Sequence, residues 1–106
     1  MPAYSAASVR AAVEPHQKRY MAIWGEGRPE NWTPSPATRD TLCLGMWLNE
    51  EMARVGINDD DRRMQGHRFN RKSSSADDLF GLAAELLNEA VEGRIPEKPA
   101  RTRWGG

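Results

Sequence analysis

The sequence predicts an all-α protein, a compact bundle of four to five short helices followed by an extended C-terminal tail. Three observations carry this. Apolar residues recur at three- and four-residue spacing along most of the chain, no alternating run is long enough for a strand, and glycines and prolines fall where helices would start and stop. A chain of 106 residues has material for one core, so residues 1–93 are expected to form a single domain and residues 94–106 the tail.

Ser5 can cap a first helix whose stripe is Val9, Val13, His16, Tyr20, Ile23 and Trp24. Pro15 lacks an N–H and crowds the preceding turn, so it either kinks this helix or divides it in two. Gly25 and Gly27 stop it. Residues 25–35 form a linker in which Trp32, among Pro29, Pro34 and Pro36, is expected to pin the loop to the core. Ser35 followed by Pro36 pairs a cap with a proline at the first helical position, and that helix should run to Val55, with Gly56 as its left-handed exit.

Asn58 caps the next helix, which opens on Asp59, Asp60 and Asp61 and ends on Arg68, Arg71 and Lys72, matching the helix dipole at both ends. Ser75 and Asp78 resemble a capping box opening the last helix, which ends before Gly93. Its residues Leu79, Phe80, Leu82, Ala83, Leu86, Leu87, Ala90 and Val91 cover an arc wide enough to meet two neighbours, so it is expected at the centre, with Glu85, Asn88, Glu89 and Glu92 outside. Gly45, Gly66 and Gly81 fall inside helices, where glycine costs about 1 kcal/mol relative to alanine. Close helix crossings would offset this at Gly45 and Gly81; Gly66 could equally mark a break.

Fifteen basic residues balance fifteen acidic ones, so no whole-chain charge points to nucleic acid or an anionic membrane. The single cysteine, Cys43, cannot form an internal disulfide, no leader-like pattern opens the sequence, and the apolar run Leu42 to Leu48 is far short of the roughly 20 residues of a membrane span. A cytoplasmic protein with no membrane partner is expected. Cys43, His16 and His67 lack the spacing of a metal site, Gly25 and Gly27 lack the remainder of a phosphate loop, and no nucleophile, base and orienting residue can be named together. No enzyme, metal or cofactor is therefore expected. Cys43 and His67 could act together only if the fold joined them.

On the Pro36 to Val55 helix, Leu42, Leu44, Met46, Leu48, Met52, Ala53 and Val55 make the apolar face. Cys43 and Trp47 miss it and fall among Arg39, Asp40, Glu50, Glu51 and Arg54. Trp47 is thus either an anchor offered to a partner or an indole covered by the first helix or the Trp32 loop. Arg62, Arg63, His67, Arg68, Arg71 and Lys72 make a basic surface on a helix with few large apolar residues, and Arg101, Arg103 and Trp104 add cations and an aromatic in the tail.

These ten residues predict a small non-catalytic protein that binds another protein, one with an acidic surface, as an accessory subunit, regulator or inhibitor. The alternative is a nucleic-acid-binding protein using the same cations. Val55 to Asn58 resembles the turn of a helix pair that reads DNA, but the three aspartates would then meet phosphates. The sequence is silent on self-association.

Overall fold

The computed structural model describes residues 3–96, and among them the architecture is all-helical, with no strand. Five α-helices follow one another: α1 (Ala6–Val13), α2 (Gln17–Gly25), α3 (Pro36–Arg54), α4 (Asp59–Ser73) and α5 (Leu79–Val91). Arg101, Arg103 and Trp104, expected to contact a partner, and most of the predicted tail lie outside the described residues.

Pro15 divides the first helical segment. It sits in a single 3-10 turn, Glu14–His16, between α1 and α2. That turn advances by three residues rather than 3.6, so the apolar stripe loses its phase across it. Val9, Val13 and Tyr20 are buried, whereas His16 is exposed and Ile23 is 47% exposed, which corrects the placement of both on the core face. Ser5 caps α1 reciprocally with Ser8, each side-chain oxygen accepting the other's backbone N–H at 3.1 and 2.9 Å.

Ser35 accepts from the Thr38 N–H at 3.2 Å to open α3. The helix ends in a Schellman turn, in which Ile57 N–H donates to the Met52 carbonyl (2.9 Å) and Gly56 N–H to that of Ala53 (3.1 Å). Gly56 has φ of +90°, which only glycine adopts without strain. Asn58 caps α4 as the sequence predicts, accepting from Asp61 N–H at 2.8 Å.

α5 starts later than expected. Ser75 closes the end of α4, with its N–H donating to the Lys72 carbonyl at 3.2 Å, and Asp78 is the cap, accepting from Phe80 N–H at 3.1 Å. The Asp78 carboxylate lies over Gly81, where a Cβ would come within 2.6 Å of Oδ2. Gly81 therefore makes room for its own helix's cap rather than for a neighbouring helix. Gly45 does face α4, since its Cβ position lies 4.0 Å from the Phe69 ring, and α4 runs unbroken through Gly66.

Helix α5 is central: it packs against α1, α3 and α4 and buries Phe80, Leu82, Ala83, Ala84, Leu86, Leu87 and Ala90. Val91, predicted on the apolar arc, is 46% exposed. Two of its predicted outward residues are tied inward instead. Asn88 exchanges hydrogen bonds with the Tyr4 backbone at 2.9 and 3.0 Å, and Glu89 pairs with Arg68.

The wheel also misplaces part of α3. Cys43 (2% exposed) and Trp47 (6%) are in the core, whereas Val55 is 38% exposed. The reason lies in the charges that made their face look external. Glu51 accepts from Tyr4 Oη at 2.7 Å and from Arg54, and Glu50 accepts from Tyr20 Oη at 2.6 Å and from Arg19. The two glutamates fasten the N-terminal segment across α3, and Tyr4 meets the Trp47 ring edge-on at 6.4 Å between centroids.

Hydrogen bonds from Arg19 and Tyr20 hold Glu50 below the usual carboxylate range, and one from Arg54 does the same for Glu51 against the opposing effect of burial. Burial, then the hydrogen bond to Glu51, pushes the Tyr4 phenol up to about 12.

Candidate interaction surface

A cleft of about 510 Å³ lies between helices α3 and α4 and is partly open to solvent. The buried side chains of Leu48, Met52 and Phe69 lie along its floor, and the half-buried Leu42, Met46 and Trp24 along its walls. Gly45 and Gly66 face it from the two helices. Beyond its own helix backbone, no atom of the described residues lies within 4 Å of the position a Gly66 Cβ would take, so the missing side chain leaves open space. The Trp24 indole N–H, on the wall, is buried and has no acceptor among the described residues. A buried donor without a partner costs about 1–3 kcal/mol relative to a satisfied one.

Arg62, Arg63 and His67 stand on the α4 side of the cleft, beside Asn70. Arg62 pairs with Asp59 and donates to the Ile57 carbonyl, so it serves chiefly to hold the start of α4. Arg63 is exposed, with Asp60 at 3.8 Å, and His67 is exposed one turn further on. Exposed ion pairs at such spacing contribute little and leave the cation able to meet another anion. Arg71 and Lys72, also exposed, form no ion pair among the described residues.

Arg68 and Trp47 do not belong to this surface, and both are corrections to the predicted site. Trp47 lies in the core beneath Tyr4. The Arg68 side chain is 12% exposed and pairs with Glu89, 13% exposed, while Gln65 links the two, donating to Glu89 at 3.1 Å and to the Leu86 carbonyl at 2.9 Å and accepting from Arg68 at 3.1 Å. Burial disfavours the Glu89 carboxylate, but the hydrogen bonds from Arg68 and Gln65 and the charges of Arg68 and Arg94 outweigh it and hold Glu89 below its usual range. This network joins α4 to α5 and spends the Arg68 charge on Glu89.

Of the ten predicted residues, the cleft thus brings together Arg62, Arg63 and His67, with Arg71 and Lys72 further along the exposed side of the same helix. Cys43 and His67 line different clefts, and burial followed by the charge of Asp40 raises the Cys43 thiol above its ordinary range, away from the reactive thiolate.

Sequence reasoning missed Trp24, Met46 and Gly66 as parts of the surface. The one available signal was Gly66, a helix-interior glycine whose cost no packing contact explains. No helix among the described residues is long and apolar enough to cross a membrane. Set against known proteins, the chain matches no family model, no curated protein and no solved structure.

Proposed function

We propose that this is a non-catalytic protein-binding module that takes an acidic, amphipathic segment of another protein into the cleft between α3 and α4. The observation that carries the reading is the combination found there: an apolar floor left open by Gly66 and exposed basic side chains along one rim. An apolar side chain of the partner would fill the space over Met46 and Met52. Flanking Asp or Glu residues would meet Arg63, His67 and Arg71. Helix-in-groove recognition of this kind places anchors at helical spacing in an apolar channel and leaves charge to select the partner.

Nucleic acid fits the surface less well. Asp59 and Asp60 share the same end of α4 with Arg62 and Arg63 and would repel phosphate, and Arg68 is already neutralised.

A displayed random-peptide library tests the reading. Selection on the full chain is expected to enrich peptides that carry a large apolar residue flanked by Asp or Glu. Gly66→Leu, which fills the cleft from a position with free space around its Cβ, should bind them at least about tenfold more weakly, a change of roughly 1.4 kcal/mol. Failure to enrich such peptides, or equal binding by Gly66→Leu with its fold intact, would refute it. So would a chain whose main ligand is an oligonucleotide lost steeply with log[salt].

A further inference from the structure

Arg39 lies near the start of α3, half-buried, and borders two clefts, one against the α2–α3 connection and one that also holds Glu14 and Asp40. Its Nε–H is shielded from solvent and has no acceptor among the described residues. Arg19, Arg54, Arg62, Arg63, Arg68 and Arg94 each meet a carboxylate, but Arg39 forms no ion pair among the described residues. A guanidinium stays charged at any physiological pH and carries five N–H donors, so a partly desolvated one without an anion is an unfinished interaction.

Arg39 lines a cleft of about 490 Å³, within the roughly 300–1,000 Å³ usual for small-molecule sites. A second guanidinium lines it too. Arg28 is fixed there, with its Cζ 4.6 Å from the centre of the Trp32 ring and its Nε donating to the Trp24 carbonyl at 2.7 Å. Trp32 in turn packs close to Gly25, whose Cβ position would lie 3.8 Å from the indole. Met21, Pro29 and Pro34 supply apolar walls, and Glu30, exposed at the edge, is the one carboxylate lining the cleft, so positive charge is in excess.

We propose that this cleft binds a small oxyanion, a molecule carrying a carboxylate or phosphate group that bridges Arg28 and Arg39. Both chemistries present the paired oxygens that a guanidinium grips with two parallel hydrogen bonds. The anion would meet the terminal nitrogens of both guanidiniums, and the Trp32 loop would be tied to α3 through it. This site lies apart from the α3–α4 cleft, and its fate does not depend on the reading proposed for that cleft.

The test is a titration of the full ¹⁵N-labelled chain with inorganic phosphate and, separately, with acetate, chloride keeping the ionic strength constant. The readout is the Arg Nε–H and Trp Nε1–H resonances. Saturable shifts are expected at Arg28, Arg39 and Trp32, with the midpoint raised about tenfold in Arg39→Gln, the loss expected for one charge-assisted bidentate contact. Arg28→Gln, at an exposed position, should weaken binding similarly. Arg39→Lys, which keeps the charge but loses the fork, should weaken it too and carries the test if Arg39→Gln does not fold.

Saturation by phosphate alone identifies a phosphoryl ligand, and saturation by acetate alone a carboxylate. Saturation by neither overturns the proposal. It is equally overturned by shifts that grow linearly and spread to Arg63 and Arg71, or by midpoints unmoved in these variants.

Discussion

Glu89 and Arg68 show how one residue's environment decides whether it belongs to the surface or the interior. In the sequence, Glu89 lies on the polar side of α5 and Arg68 within a basic run, and nothing local marks either as paired. The pair is held by Gln65, 24 residues upstream of Glu89, which occupies the space between α4 and α5 and bonds both the Leu86 carbonyl and Glu89. A contact of that kind depends on how the helices cross, which no helical wheel contains.

The pairing has a consequence for acid stability. Glu89, Glu50 and Glu51 are held below the ordinary carboxylate value of 4.5, so in acid the unfolded chain binds protons that the folded chain refuses. Their contribution is complete above about pH 5 and is lost as pH falls below about 4.5 and through the folded values. Glu89→Gln leaves the mostly buried Arg68 without a counter-charge and should cost about 1–3 kcal/mol at neutral pH. Urea midpoints measured from about pH 6 down to 3 should fall less steeply for this variant than for the parent chain. Parallel profiles would show that Glu89 is not selectively stabilised in the folded state.

Among the helices, beginnings and ends were largely legible because they depend on residues a few positions apart. Ser5, Ser35 and Asn58 cap as their spacing indicates, and Gly56 and Gly93, with φ of +90° and +71°, stop α3 and α5. The misplaced start of α5 came from two competing caps, Ser75 and Asp78. The chain uses Ser75 to finish α4, which leaves Asp78 free. Gly81 belongs to the same device, since only a residue without a side chain lets the Asp78 carboxylate lie over the first turn.

Asp78→Ala should therefore cost about 1 kcal/mol, as losing an N-cap usually does. Gly81→Ala should change stability little, its gain of about 1 kcal/mol in helix propensity being offset by displacement of the cap. The double variant should be more stable than the sum of the two single changes predicts, because alanine at 81 does no further harm once the carboxylate is gone. Strict additivity in denaturant unfolding would separate Gly81 from the cap.

At the scale of the molecule, the fold class and the central place of α5 were legible, since the Leu79 to Val91 stripe is too wide for one neighbour. Which faces of α3 are covered was not. Trp47 reads as external because Glu50 and Glu51 flank it, and it becomes core only when Tyr4 and Tyr20 cross over and take those glutamates. The candidate site was half legible for a related reason. Composition marks the cations of α4, but the cleft beside them arises from the crossing of two helices, with Trp24 brought in from a third. What results is a bundle whose interior is closed around α5 and whose α3–α4 side is not.

The most direct test of that open side uses the chain's own methionines. With methyl-labelled Met and an acidic amphipathic peptide, the account predicts that the signals of Met46 and Met52, at the wall and floor of the cleft, shift together and saturate, while those of Met21 and Met64, which do not line it, stay in place. Saturable shifts at Met21 or Met64 with Met46 and Met52 unmoved would put the partner elsewhere and contradict the account.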